Sequence, residues 1–187
     1  MMTAEILQDL AHEARTNGDL TYPDPRFPAS TYYRFLMLLA KKIKSRLSVE
    51  LGVCGGGGSL HLALGNPKKK TIGVDGTRDS YPENIDHVES VCPNFVFWLG
   101  DSSESAAPIY EKYGEVDLLF IDTDHTEGST MREWNAWHPF LSKKAIVCLD
   151  DLNRPGMMNI FKALPGEHLW IEDFGGEFGV IWNIFVS

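Results

Sequence analysis

The chain has 187 residues, of which 43% are hydrophobic and 23% are charged, as in an ordinary globular domain, so one domain over residues 1–187 is predicted. Its formal net charge of −9 argues against a general nucleic-acid-binding protein, which needs an excess of Lys and Arg facing phosphate. The three cysteines form no C-x-x-C pair, and the first residues lack a basic segment followed by an apolar one. These features predict a cytoplasmic protein that is neither exported nor embedded in a membrane.

Residues 1–45 are predicted to form two helices and to supply a substrate lid. Apolar side chains at helical spacing indicate a first helix over residues 3–16 and a second over residues 30–45. The loop between the helices contains three prolines and is predicted to be extended. Tyr32 and Tyr33 lie near the start of the second helix and are the candidate lid residues.

From residue 46 to residue 187 the pattern changes to short apolar runs that alternate with helical stretches, which predicts a cofactor-binding core. Strands buried on both faces give such runs, and their alternation with helices implies a parallel sheet covered by helices. The apolar tail, residues 178–186, can add a final strand at the sheet edge or between earlier strands. The five other predicted strands are Leu47–Val53, Thr71–Val74, Phe95–Leu99, Val116–Ile121 and Ala145–Leu149.

A glycine-rich turn, residues 50–59, follows the first predicted strand. Glycines between a strand and a helix let a ligand approach the backbone closely, next to free N–H groups at the helix start. A glycine run can also be a plain loop, so the turn alone is weak evidence. It lacks the Gly-Lys-Ser/Thr ending of a Walker loop and the G-x-G-x-x-G spacing of a dinucleotide-binding turn, so neither site is predicted.

Acidic residues follow the next two predicted strands. Asp75 ends the second strand, about 20 residues beyond the glycine turn, where a carboxylate can accept hydrogen bonds from a ribose diol. Asp101 and Ser102 follow the third strand, at the edge where α/β sheets hold ligands. Each acid could instead cap a helix, and this alternative is strongest for Asp101.

Glu50, Gly52, Gly56 and the helix after them resemble the E-x-G-x-x-x-G signature of the class I S-adenosylmethionine (SAM)-dependent methyltransferases. Cys54 stands where that signature usually has its central glycine. The resemblance extends over about residues 46–159. It implies a Rossmann-like three-layer α/β sandwich with a mostly parallel seven-stranded sheet and a C-terminal antiparallel strand.

The resemblance also implies a cofactor-binding set. Residues 52–56 would face the methionine part of SAM, Asp75 the ribose hydroxyls, and Asp101 with Ser102 the adenine. Glu50 would hold the turn or the amino group of the cofactor. The full set is Glu50, Gly52, Val53, Cys54, Gly56, Ser59, Asp75, Gly76, Asp101, Ser102 and Asp122.

A second group of acids follows the fourth and fifth predicted strands. Asp122 and Asp124 follow the fourth, and Asp150 and Asp151 follow the fifth; in a parallel sheet these two ends can be neighbours. Carboxylates brought together raise one another's pKa unless a cation compensates them, and all-oxygen ligation suits Mg²⁺, Ca²⁺ or Mn²⁺. The alternative for the acids after the fifth strand is a solvated turn that caps a helix starting near Pro155.

This pattern is similar to the metal-dependent O-methyltransferases of the catechol and caffeoyl-CoA type. It is more similar still to the macrolide-sugar O-methyltransferases and the cephalosporin-hydroxylase-like proteins. The resemblance implies Asp122, Asp150 and Asp151 as metal ligands, and Asp122 and His125 as catalytic residues, with His125 as the general base. An ordinary surface histidine is the alternative for His125, and Asp124 receives no definite role.

The expected function is therefore SAM-dependent methyl transfer to a hydroxyl of a small molecule or sugar, assisted by a divalent metal, most simply Mg²⁺. Arg154 is a candidate partner for an anionic substrate, or for Asp151. Nucleic acid and membranes are not expected partners. The oligomeric state is left open, and a homo-oligomer in which a second subunit helps cap the substrate is one alternative. Two rival functions are a hydroxylase-like activity and a SAM-binding protein without catalysis.

Overall fold

The structure, a computed structural model, describes residues 2–27, 30–172, 174 and 177–185. The helices of the described residues are α1 Ala4–Thr16, α2 Thr31–Ile43, α3 Gly57–Gly65, α4 Pro82–Val91, α5 Ala106–Tyr113, α6 Glu127–Trp137 and α7 Met157–Ala163. The strands are β1 Leu47–Leu51, β2 Lys70–Asp75, β3 Phe95–Leu99, β4 Val116–Ile121, β5 Leu141–Leu149, β6 Glu167–Ile171 and β7 Phe178–Trp182. No helix in the described part of the chain is both long enough and apolar enough to cross a lipid bilayer.

The strands form one seven-stranded sheet in the order β3-β2-β1-β4-β5-β7-β6. Strands β1 to β5 pair in parallel, and β7 pairs antiparallel with both β5 and β6. The strand order reverses between β1 and β4, and open α/β sheets bind ligands at such a point, beyond the carboxyl ends of the strands. The predicted Rossmann-like sheet with an antiparallel C-terminal strand is confirmed.

Helices cover both faces of the sheet and complete a three-layer sandwich. On one face, α1, α2 and α3 pack over β4, β5, β6 and β7, and α4 extends this layer toward β3. On the other face lie α5, α6 and α7. Most residues of β1, β2, β4, β5 and β7 are buried between these layers, as a sheet covered on both faces requires.

The N-terminal helices are part of the core. In α1, Leu7 and Ala14 are fully buried, and in α2, Phe35 and Leu39 are fully buried. They share one apolar cluster with residues of β6 and β7. Only the start of α2 approaches the strand ends that carry the acids, so the predicted lid role, which stays a prediction, concerns that short region.

The structure differs from the sequence-based boundaries at five strands. Strand β2 is one residue longer at each end, and β5 begins four residues earlier, at Leu141. Strand β1 ends at Leu51 because Gly52 adopts φ +86° and turns the chain. Strand β6, Glu167–Ile171, was not predicted, because it is a short edge strand with mostly polar or half-exposed residues. Strand β7 ends at Trp182, before Asn183 at φ +53°. Val186 of the predicted tail and Pro28 of the first loop lie outside the described residues.

Candidate functional site

A cleft of about 380 Å³ opens at the carboxyl ends of β1 to β4. Its volume lies in the range of pockets that hold small ligands. We call it the main cleft and define it by its lining residues, which are Gly52, Cys54, Val74, Asp75, Gly76, Asp101, Ser102, Asp122, Thr123 and Asp124.

Gly52 allows the turns after β1 and β4 to approach each other at the cleft. Its φ of +86° favours glycine, and a Cβ atom at this position would collide with the carbonyl oxygen of Asp122. The Gly52 N–H donates to the carbonyl of Val74 at 2.9 Å, which ties the same turn to β2. A larger residue at position 52 would therefore separate the strand ends that form the cleft.

Asp75 holds the glycine-rich turn in place. Its Oδ2 accepts hydrogen bonds from the backbone N–H groups of Val53 and Cys54 at 2.9 and 3.0 Å. Its Oδ1 accepts one from the N–H of Thr77 at 3.1 Å. A carboxylate has about four lone-pair positions, so Asp75 retains capacity for a ligand hydroxyl in the cleft.

Asp101 lines the cleft and also fixes the turn before α5. Its Oδ1 accepts from the N–H groups of Ser103 and Glu104 at 2.8 and 3.1 Å. The N-cap residue of α5 is Ser105, so Asp101 fixes the turn but is not the helix cap that was its alternative role. The turn that it fixes presents Ser102 to the cleft.

The predicted cofactor set divides into two groups. Its members that line the main cleft are Gly52, Cys54, Asp75, Gly76, Asp101, Ser102 and Asp122. Glu50, Val53, Gly56 and Ser59 lie outside the lining. Of these, the Val53 backbone bonds Asp75, and Gly56 at the start of α3 faces the side chains of Ile85 and Val88.

Glu50 lies beneath the glycine-rich turn and not in the cleft. It is 1% exposed and accepts a hydrogen bond from the hydroxyl of Ser59 on α3. Burial raises the pKa of Glu50 to about 8. Glu50 therefore joins β1 to α3, as one of the two roles predicted for it requires, and its contacts are with the protein.

Next to the main cleft, Asp122, His125, Asp150 and Asp151 form what we call the acid corner. The His125 Nε2 lies 3.5 Å from Asp122 Oδ1 and 3.8 Å from Asp151 Oδ2. Burial and the nearby Asp150 raise the pKa of Asp122 well above its ordinary value, and burial raises the pKa of Asp150. The sheet thus brings together all four residues that the sequence predicted for catalysis and metal binding.

The turns of the acid corner have unusual backbone conformations. His125 and Asp151 both adopt φ +52°, a region that non-glycine residues rarely occupy. Asp150 and Asp151 do not cap α7; Gly156 stands at that position. Arg154 donates from Nε to Asp151 at 3.1 Å, which is the intramolecular alternative predicted for Arg154.

The donors of the acid corner suit a hard divalent cation, although they do not form a closed ligand set in this arrangement. Within the described ranges, no three His, Cys, Asp or Glu side chains converge closely enough to hold a metal ion. The carboxyl groups of Asp122 and Asp150 nevertheless come from adjacent strand ends, and the charge of Asp150 disfavours the ionisation of Asp122. A cation beside them would remove that repulsion.

Tyr32 and Tyr33 pack against the site from the start of α2. The Tyr33 ring stacks on His61 with a centroid distance of 5.4 Å and lies against Gly57 at the start of α3. The centroids of the Tyr32 and Tyr33 rings are 4.3 Å apart. Burial raises the pKa of both phenols, and the carboxylates of the acid corner add to the shift. Both rings are therefore packed side walls in this structure.

Sequence reasoning missed one buried acid beside the cleft. Glu133 on α6 is 1% exposed and accepts hydrogen bonds from Ser102 Oγ at 2.6 Å and Thr123 Oγ1 at 3.0 Å. One turn later, the indole N–H of Trp137 donates to the carbonyl of Ser102 at 2.7 Å. The four-residue spacing of Glu133 and Trp137 was the only available signal, because it places both on one face of a helix.

Comparisons with known proteins agree with this geometry. A family described as "Methyltransferase domain" matches residues 49–152, more than half of the chain. No curated protein sequence matches the chain.

Solved structures similar to this fold include an O-methyltransferase from Bacillus cereus in complex with SAH, with 17% identity, a TM-score of 0.67, and 97% of this chain and 92% of that chain covered. The O-methyltransferase TomG from Streptomyces achromogenes, involved in tomaymycin synthesis and solved with SAM, has 18% identity, a TM-score of 0.66, and coverage of 97% and 90%. The calicheamicin methyltransferase CalS11 has 15% identity, a TM-score of 0.65, and coverage of 97% and 94%.

The family match spans the glycine-rich turn, all the acids of the cleft and the acid corner. The chain belongs to this methyltransferase domain family and is a class I SAM-dependent methyltransferase.

Proposed function

We propose that the protein transfers the methyl group of SAM to a hydroxyl oxygen of a small molecule. The observation that carries this proposal is the position of the acid corner, which shares Asp122 with the main cleft. A cofactor in the cleft would present its sulfonium methyl toward that corner. Two of the similar solved structures are O-methyltransferases, one of them involved in tomaymycin synthesis, and a third is a calicheamicin methyltransferase, which supports the same proposal.

The chain's own residues would supply orientation and a proton acceptor. Methyl transfer is an in-line displacement: the acceptor oxygen forms a bond to the methyl carbon while the carbon–sulfur bond breaks and its electron pair stays on sulfur. The hydroxyl proton must leave, and His125 Nε2, between Asp122 and Asp151, would accept it. The flanking carboxylates would stabilise the imidazolium that results.

A divalent cation at Asp122, Asp150 and Asp151 is the second part of the proposal. The buried carboxyl groups of Asp122 and Asp150 support it, because burial and the charges of neighbouring carboxylates disfavour their ionisation and an adjacent positive charge would favour it. Asp151 would exchange its contact with Arg154 for the cation. A cation bound there lowers the pKa of an acceptor hydroxyl and fixes its position.

The direct test is release of S-adenosylhomocysteine when the protein is mixed with SAM, Mg²⁺ and a panel of hydroxylated metabolites. Turnover that depends on one acceptor class, and that is absent without acceptor, supports the proposal. Tight SAM binding with no turnover across a broad panel, with Mg²⁺ or Mn²⁺, would favour the non-catalytic binder instead.

The metal is tested separately by calorimetric titration of Mg²⁺ into the SAM-bound protein and into an Asp150→Asn variant. Saturable binding in the first and its loss in the second support the cation site. Full turnover in excess chelator would overturn the metal proposal and leave methyl transfer intact.

A further inference from the structure

Glu133 and Trp137 lie on α6 and contact lining residues of the main cleft from the protein interior. Neither is among the residues assigned above to the cofactor or the acceptor. Glu133 is the one described acid of α6 that is fully buried, and both of its oxygens are used. One accepts from Ser102 Oγ at 2.6 Å and the other from Thr123 Oγ1 at 3.0 Å. A buried carboxyl with two partners on two different turns fixes the separation of those turns.

The two turns joined by Glu133 are opposite walls of the cleft. Ser102 follows β3 and Thr123 follows β4, and both line the cleft. Trp137 adds a third bond to the same wall, because its indole N–H donates to the Ser102 carbonyl at 2.7 Å. The Ser102 peptide is thereby held through both its side chain and its carbonyl.

The bonds from α6 to the Ser102 side chain and carbonyl fix the position of this residue, and its own N–H, which belongs to the preceding peptide, is available at the cleft wall. Within the part of the chain that the structure describes, the backbone N–H groups of Ser102 and Thr123 have no hydrogen-bond partner. An N–H group in a partly apolar cleft is a donor for a ring nitrogen of a planar base. A purine whose ring nitrogen carries no hydrogen can accept a hydrogen bond from this N–H. A purine with a hydrogen on that nitrogen cannot.

We infer that Glu133, assisted by Trp137, is a positioning residue that sets the base selectivity of the main cleft by holding the Ser102 turn. This inference rests on the proposed function, because it takes the nucleoside of SAM as the occupant of the cleft. Glu133 itself contacts only the protein. Its effect reaches the base through Ser102 and Thr123.

The experiment measures the affinities of S-adenosylhomocysteine and S-inosylhomocysteine by calorimetry. Hypoxanthine carries a hydrogen on a ring nitrogen that is an acceptor in adenine, so the wild-type protein is expected to prefer the adenine compound by at least about tenfold, roughly one mismatched hydrogen bond. Glu133→Leu should weaken adenine binding about tenfold and reduce the preference to a few-fold. Glu133→Gln, which keeps one acceptor and adds a donor to Thr123, should retain most of the preference.

Two further variants separate positioning from stability. Thr130→Val removes another buried hydroxyl of α6, which contacts Met157 and not the cleft, and should leave the preference unchanged. Trp137→Phe removes the donor to Ser102, together with part of a fully buried ring, and should lower the preference several-fold. A thermal unfolding measurement checks that this variant is folded, so that the inference stays testable if Glu133→Leu does not fold.

Equal weakening of both nucleosides in Glu133→Leu and an unchanged preference in Trp137→Phe would overturn the inference and leave the proposed function standing. A wild-type protein that binds both nucleosides equally would also overturn it. A wild-type protein that binds neither nucleoside would instead remove the proposed function on which the inference rests.

Discussion

The acids of the main cleft and those of the acid corner lie at one edge of the sheet but are held in different ways. Asp75 accepts hydrogen bonds from backbone N–H groups of the glycine-rich turn, and Asp101 accepts two from its own turn. Asp122 and Asp150 are more deeply buried, and burial together with the charge of a neighbouring carboxylate raises the pKa of each. The chain thus satisfies the first pair itself and leaves the second pair to be compensated by a proton, an imidazolium or a cation.

This difference predicts a division of labour. The hydrogen-bonded acids should control affinity for SAM, because they fix the turns that line the cleft. The acid corner should control the rate of transfer and leave SAM affinity largely unaffected. Substitutions in each group can separate the two effects.

The largest effect is expected from Asp150→Asn. It preserves shape but removes a charge of the acid corner, so kcat should fall by about 100-fold or more, the usual range for a lost acid–base contribution. The dissociation constant of SAM should change less than about threefold, well under 1 kcal/mol. Steady-state kinetics and calorimetry measure the two quantities.

Asp124→Asn is the matched control for Asp150→Asn. Asp124 lies in the turn after β4 but bonds Ser129 and Thr126 at the start of α6, so its loss should lower stability more than kcat. A large fall in kcat for Asp124→Asn, or a large rise in the SAM dissociation constant for Asp150→Asn, would contradict the division.

A smaller effect, on binding alone, is expected from Asp75→Ala. The variant removes the shared acceptor of the Val53 and Cys54 N–H groups, and loss of hydrogen bonds to a charged group should weaken SAM binding by more than about tenfold. Asp75→Asn retains one oxygen acceptor and should lose less. Calorimetry that finds unaltered affinity for Asp75→Ala would show that the cofactor does not depend on this carboxylate.

The smallest effect concerns Glu50, which belongs to neither group. Its pKa is about 8 in the folded protein against an ordinary value of 4.5, so between these pH values the folded chain keeps a proton that the unfolded chain has lost. This contribution to stability is fully present below pH 4.5 and decreases as pH rises toward 8, by at most about 1.4 kcal/mol per pH unit.

Glu50→Gln should remove that contribution to the pH dependence while keeping an acceptor for Ser59. The free energy of unfolding, measured in urea at pH 5.5 and 8, should therefore fall less steeply with pH in the variant than in the wild type. Identical slopes in the two proteins would mean that Glu50 is ionised in the folded state.

The sequence was most informative where one local rule decides the outcome. The apolar runs located β1 to β5, because strands buried on both faces give such runs, although the predicted first strand ran through Gly52 to Val53. Strand β6 escaped because its Glu167, His168 and exposed Trp170 do not alternate like a half-buried strand; its partner β7 defines it.

The candidate site was predicted as a set of strand ends, but its division into lining and supporting residues was not. Glu50 and Asp75 both follow the same rule in sequence, yet one is directed under the turn and the other into the cleft. Glu133 resembles an ordinary helix-surface acid between Arg132 and Trp134, and only the packing of α6 against the sheet buries it. Such differences depend on tertiary contacts that no local pattern encodes.

The insertion of β7 between β5 and β6 has a consequence for how the chain is made. The apolar side of α1 rests on side chains of β6 and β7, which are translated more than 150 residues later. A ribosome-bound fragment lacking residues 178–182 would therefore leave both Leu7 on its first helix and Val147 on β5 without their final neighbours. Completion of the layer that carries Tyr32 and Tyr33 must therefore wait until β7 has been synthesised.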